Sequence, residues 1–234
     1  MIYDIKTRSR RDLGRIGAIN SQIVFTDRKG RAYTSSDMGQ LVRYDPERDR
    51  LEEIPAYLPC EPYQSRWHSV FYDAVASPEG DCIYGLTWRE HMHLFRYWPE
   101  DGEYGRMEDF GPVTQERDRS YPADTFSDHA GGLVFGADGM LYFVHSRWPD
   151  GPCPTPEGAV GVVCQVNPRT MEKKDFAFLK EEGRPSQYVS RAGRDKFGNL
   201  YFGHVGGKPS GMFRLPMDNP SGRSDLHEPL RTWG

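Results

Sequence analysis

The sequence predicts an all-β fold, a β-propeller of four-stranded blades, on three observations. Four segments of the 234-residue chain superimpose, they recur after 50, 59 and 59 residues, and no stretch reads as a long helix. The segments are SQIVFTDRKGRAYTSSD, DAVASPEGDCIYGLTW, GGLVFGADGMLYFVHS and SRAGRDKFGNLYFGHV, anchored on Gly30, Gly80, Gly139 and Gly198. A period of roughly 50 residues is that of one propeller blade, whereas helical solenoids need a different pattern.

Each segment supplies an extended inner strand, a turn ending in glycine, and a second strand centred on Tyr33, Tyr84, Tyr142 or Tyr201. Glycine belongs at the turn because two antiparallel strands reverse there through a residue that must tolerate positive φ. A third strand ending near proline follows: QLVRYDP, HLFRYWP, VVCQVNP and GMFRLPMDNP. Then comes a more polar outer strand, RLEEIPAYL, YGRMEDFGPV or EKKDFAFLK, whose alternation suits one wet face.

Residues 1–17, MIYDIKTRSRRDLGRIG, align with the third and outer strands alone. The chain therefore reads as one propeller domain: a half blade at 1–17, then four full four-stranded blades at 18–66, 67–126, 127–185 and 186–234. Two completions fit. One is a closed five-bladed ring in which residues 2–13 share a sheet with 199–216. The other is the C-terminal part of a seven-bladed propeller, whose open sheet faces would drive self-association. The tail after Pro220 offers at most a brief outer strand. An antiparallel sandwich is the competing architecture.

Composition narrows the function classes. The 25 glycines and 18 prolines are spread along the chain, as many short strands and turns require. A net charge of −4 gives no basic footprint, so nucleic acid is not an expected partner. No run approaches the roughly 20 apolar residues of a membrane span, and the N-terminal segment has no apolar signal region. The expected location is cytoplasmic. Cys60, Cys82, Cys153 and Cys164 have neither zinc-site nor disulfide-scaffold spacing and read as free thiols.

With its recurring "DxxGxlY…GxlxryDP" pattern, the chain resembles propellers of the NHL, gluconolactonase and streptogramin-lyase types over nearly its whole length. The resemblance is specific for architecture, because this scaffold hosts lyases, lactonases and binding modules alike. Members usually carry six or seven blades.

Propeller ligands generally bind where the loops leading into the inner strands, and those joining second to third strands, surround the central channel. Three residues after the strand-two tyrosines stand Ser36, Thr87, His145 and His204. His145 and His204 share an orientation through strand alternation and suit base, acid or metal-ligand roles. Nearby loops add His68, Tyr72, Trp88, Arg89, His91, His93, Asp128, His129, Arg147, Arg191 and Lys208. The plainer alternatives are structural: a hydrogen-bonding His129 at a strand start, His91 and His93 flanking Met92 on an outward strand, and a packed Tyr72. Arg191, inside an inner strand, must be paired or face the channel. The third repeat is longer, with 26 residues from Tyr142 to Pro168 against 13 to 15 elsewhere, and its RWPDGPCPTPEGAVG segment, including Trp148, reads as a stiff lip over the cavity or a surface loop.

These residues point to a carboxylate-bearing sugar held by guanidinium groups. The function expected is a metal-assisted lyase acting on such a sugar or on a lactone. Its catalytic residues are His129, His145, His204 and Tyr72, and its substrate-binding residues Arg89, Arg147, Arg191, Lys208 and Trp148. The resemblance to streptogramin lyases implies a divalent metal, Mn or Mg, at His129, His145 and His204. A gluconolactonase-type enzyme would need acidic and asparagine ligands on the inner strands, where only Asn20 and Asp73 are comparable. The alternative function is a non-catalytic propeller that binds a protein or glycan.

Overall fold

The computed structural model describes residues 1–14, 24–60, 70–88, 92–113, 130–147, 160–181, 184–185, 189–204, 210–217 and 228–233. Among these the protein is all-β, and strands follow the repeats. A hairpin of β1 (Ile2–Asp4) and β2 (Ser9–Arg11) comes first and forms a sheet of its own. The first blade is β3 (Phe25–Thr26), β4 (Ala32–Ser35), β5 (Gln40–Asp45) and β6 (Arg50–Tyr57). The second is β7 (Phe71–Ala76), β8 (Ile83–Thr87), β9 (His93–Trp98) and β10 (Arg106–Pro112). The third is β11 (Ala130–Phe135), β12 (Leu141–Arg147), β13 (Val160–Val166) and β14 (Lys173–Glu181), with the two-residue β15 (Arg184–Pro185) as a fifth strand that the four-stranded expectation lacked. The fourth is β16 (Val189–Arg194), β17 (Leu200–His204), β18 (Ser210–Leu215) and β19 (Glu228–Trp233).

All strand pairs are antiparallel, and each sheet runs in chain order from inner to outer strand, as in a propeller blade. The inner strands β3, β7, β11 and β16 lie side by side in that order, which places one axis along their edges. One expectation needs correction. Residues 2–13 do not share a sheet with 199–216, because β18 pairs with β17 on one side and with β19 on the other. Residues 228–233 thus supply the outer strand of the fourth blade.

The turn residues explain why the repeat is written as it is. Gly30, Gly80, Gly139 and Gly198 all have φ between 69° and 92°. In the first turn Asp27 accepts the Lys29 and Arg31 amides and the Tyr33 hydroxyl (3.0 Å). Asp195 does the same for Phe197, Asn199 and Tyr201 (2.9 Å). In the third turn the carboxylate moves to Asp138, which takes the Tyr142 hydroxyl at 2.7 Å, and Gly136 stands where the aspartate otherwise sits. A Cβ at Gly136 would lie 2.4 Å from Asp138 Oδ1, so glycine there makes the room. Each strand-two tyrosine is tied by its hydroxyl to its own turn, except Tyr84 of the second blade, whose turn is organised by Ser77.

This geometry carries a pH dependence. The Asn199 side-chain amide, with the Tyr201 hydroxyl and the Asn199 and Phe197 amides, holds the Asp195 carboxyl down to about 2. The unfolded chain protonates near about 3.9. A depressed folded value stabilises above the unfolded pKa and loses that contribution as pH falls from about 4 towards about 2. Urea midpoints of the parent should therefore drop over this window, and Asp195→Ala should lower the midpoint at about pH 5 while flattening the drop.

Three apolar cores sit between blades rather than within them. Tyr33, Leu41 and Ile54 of the first blade pack on Phe71, Phe95 and Tyr97 of the second. Tyr84, Leu86 and Leu94 pack on Leu141, Phe143, Cys164 and Val166 of the third. Tyr142, Val144 and Val163 pack on Leu200, Phe202, Phe213 and Leu215 of the fourth. Among the described residues Cys60, Cys82 and Cys164 are free thiols.

Candidate functional site

The inner strands depart from regular pairing at one shared place. The register shifts between Phe71 and Asp73 in β7, between Gly131 and Val134 in β11, and between Val189 and Arg191 in β16. Such bulges re-aim side chains near a barrel or channel rim. Asp73, Gly131 and Arg191 occupy equivalent positions, opposite Leu86, Val144 and Gly203. An acid, a bare backbone and a base thus stand in one ring position on three successive blades.

They meet. Arg191 reaches from β16 past the Gly131–Gly132 backbone of β11, and its Nη1 donates to Asp73 Oδ1 (3.1 Å) and to the Tyr72 carbonyl (3.2 Å) in β7. Asp73 Oδ2 accepts the amides of Gly132 (2.7 Å) and Leu133 (2.9 Å), and Oδ1 that of Ala74 (2.9 Å). A side chain at Gly132, where φ is 74°, would be strained. The Asp73 carboxyl is 5% exposed, whereas the Arg191 side chain is 48% exposed. Burial pushes the Asp73 carboxyl up, against the pull of the Leu133 amide and the Arg191 guanidinium. Arg191 uses only Nη1 in these contacts, and its Nε and Nη2 have no partner among the described residues.

The other expected site residues are distributed as follows. His145 lies in β12 opposite Ala130, and His204 in β17 opposite Val189, so the shared backbone register holds. The His145 side chain is buried, on the face of β12 that carries Leu141 and Phe143 towards the second blade. Its ring is 6.0 Å from that of Phe143, and Nε2 lies 3.8 Å from Asp175 Oδ1. Tyr72 is buried and stacked on Trp88, with ring centroids 6.2 Å apart. His93 is buried with Nδ1 2.9 Å from Asp109, on the outer side of its blade. His129, Arg89, Lys208 and Trp148, with the lip at 148–159, lie outside the described residues, as do the side chains of His204 and Arg147. His145 is accordingly the one expected metal ligand whose side chain is described, and its ionic neighbour is Asp175. Among the described residues no three metal-ligating side chains cluster.

Asp73 was visible only as a lactonase-type acid. The signal for its actual partner was present: opposite charges at the same repeat position, separated by a blade whose equivalent residue is glycine.

No protein-family model and no curated protein matches the chain. Solved structures do. A putative glucose dehydrogenase from Thermus thermophilus superimposes with a TM-score of 0.57 at 16% identity, over 93% of this chain and 70% of its own. A Streptomyces coelicolor aldose sugar dehydrogenase in its PQQ-bound form gives 0.54 at 15% identity, over 95% and 71%. The periplasmic gluconolactonase of Pseudomonas aeruginosa gives 0.53 at 16% identity, over 92% and 53%. The chain spans 26% and 52% of two further matches, a Bacteroides thetaiotaomicron extracellular domain and a putative 6-phosphogluconolactonase from Bacteroides uniformis. Together with the blade topology, these likenesses establish a β-propeller similar in architecture to gluconolactonase-type propellers. They also correct the cytoplasmic expectation: several matched structures are extracellular or periplasmic, which points away from the cytoplasm.

Proposed function

We propose that this propeller handles a sugar-derived small molecule that carries a carboxylate, or a lactone that opens to one, at the channel end where the inner strands begin. The observation that carries this reading is the Arg191 guanidinium: half exposed, fixed through Nη1 by Asp73, with Nε and Nη2 bonded to none of the described residues. A fixed fork of this kind suits an oxyanion, because its orientation is set before the ligand arrives. The sugar and lactone enzymes among the similar folds favour the same ligand class.

The finer reading is an elimination assisted by Mn or Mg. A base removes the proton next to the carboxylate, the C–H electrons form a double bond, and the β-oxygen leaves with its electron pair. His129, His145 and His204 are the candidate bases and metal ligands, with Arg89, Arg147, Lys208 and Trp148 as further contacts. Tyr72, stacked on Trp88, is the weaker candidate for an acid or base. Incubation with uronide oligosaccharides and aldonolactones, with and without Mn, separates the chemistries. Unsaturated product supports elimination, acid release supports lactone hydrolysis, and neither product from either panel overturns the enzymatic reading.

A binding module is the second reading. Matches to extracellular domains of putative one-component and hybrid two-component systems favour it. Sugar-acid binding without turnover would support it.

A further inference from the structure

Every described blade boundary is built from the same two faces. The departing face carries the strand-two tyrosine and one third-strand residue: Tyr33 and Leu41, Tyr84 and Leu94, Tyr142 and Val163, all of them buried. The receiving face carries alternate third-strand residues, Phe95 and Tyr97, Cys164 and Val166, Phe213 and Leu215, also buried. An arginine completes the first two boundaries. Arg43 pairs with Glu52 and donates to the Glu103 carbonyl of the next blade (3.1 Å), and Arg96 pairs with Glu108 and donates to the Pro168 carbonyl of the next (3.0 Å).

The fourth blade has the same departing face, and no described residue covers it. Met212, the equivalent of Leu41 and Leu94, is 42% exposed. Arg214 stands where Arg43 and Arg96 stand, opposite Glu228 in the ladder, and among the described residues it contacts only Asn199 Oδ1 (3.4 Å), its buried Nε having no partner there.

The β1–β2 hairpin presents the matching receiving face. Asp4 accepts the Lys6 and Thr7 amides as Asp45 accepts those of Glu47 and Arg48 and Asn167 those of Arg169 and Thr170, which fixes the alignment of these turns. Tyr3 is then the equivalent of Tyr97 and Val166, and the Ile5 carbonyl that of Pro168. Yet Tyr3 is 58% and Ile5 83% exposed. The hairpin's other side rests on the first blade, where Arg11 meets Asp49 and the Tyr44 hydroxyl.

We propose that the Tyr201–Met212–Arg214 face of one copy receives the β1–β2 hairpin of a second copy, so that the protein associates head to tail by repeating its own blade boundary. Continuity with three existing boundaries names the occupant, and Arg214, standing where Arg43 and Arg96 each send Nη1 to a carbonyl of the next blade, names its polar contact, the Ile5 carbonyl of the incoming hairpin. Such a contact joins unlike patches, so it extends or closes by rotation rather than stopping at a two-fold dimer.

Sedimentation velocity on the full 234-residue chain tests this. The parent should shift to larger species with concentration, and Tyr3→Lys and Met212→Lys should each remain monomeric with unchanged far-ultraviolet circular dichroism. Mixing the two variants leaves one usable boundary, Tyr3→Lys supplying the face and Met212→Lys the hairpin, so a dimer and nothing larger should form. A parent that is monomeric throughout, an assembly that neither variant weakens, or a mixture that stays monomeric would overturn the proposal.

Discussion

Asp73→Ala is expected to destabilise the protein by about 3–4 kcal/mol, since an orphaned buried donor costs about 1–3 kcal/mol and three backbone amides lose their acceptor together. The figure stays below the simple sum because water can enter beside the half-exposed Arg191. The same carboxylate links β7 to β11 and β16, so its loss should loosen all three inner strands at once. Asp73→Asn keeps the shape but turns one acceptor into a donor and should cost about half as much. Arg191→Ala removes only the exposed partner and should cost about 1 kcal/mol, in the range of exposed ion pairs. Urea unfolding of the three variants checks the order. An Asp73→Ala variant as stable as Arg191→Ala would mean that the amide contacts contribute little.

Phe95→Ala should cost about 3–5 kcal/mol, the range for a fully buried phenylalanine. Its ring stands edge-on to Phe71 at 5.0 Å and fills the space left by Gly85, where an added Cβ would come within 2.2 Å of it. Gly85→Ala alone should therefore destabilise by about 1–3 kcal/mol through overpacking. In the Phe95→Ala background the same change refills the void and should cost clearly less, a coupling that a double-mutant cycle measures. Additive losses would show that the two residues do not share the space.

These two sites mark where the sequence was legible and where it was not. The Asp–Gly–Tyr turns were readable because every partner lies within a few residues: Asp27 with Gly30 and Tyr33, Asp195 with Gly198 and Tyr201. The alternation of the third strands was equally local. The role of Asp73 was not readable in that way, because its guanidinium partner is 118 residues distant. Only the stacking of successive blades about one axis brings them together. His145 shows the limit of register arguments: its place opposite the inner strand was legible, but alternation alone did not reveal that its face of β12 turns towards the second blade and Asp175. The outer strand at 228–233 was legible only as a brief one, since its apolar content is low.

On the proposed reading, Arg191, oriented by Asp73, meets a ligand carboxylate at the channel. Calorimetric titration of gluconate and glucuronate, with glucose as the neutral control, tests it on the parent and on Arg191→Ala. A sugar acid should bind the parent more tightly than glucose does, and Arg191→Ala should weaken the acid by about tenfold to a hundredfold, the worth of one charged hydrogen-bonded contact, while leaving glucose unchanged. Equal binding of acid and neutral sugar by the parent, or an acid affinity untouched in a folded Arg191→Ala variant, would contradict it.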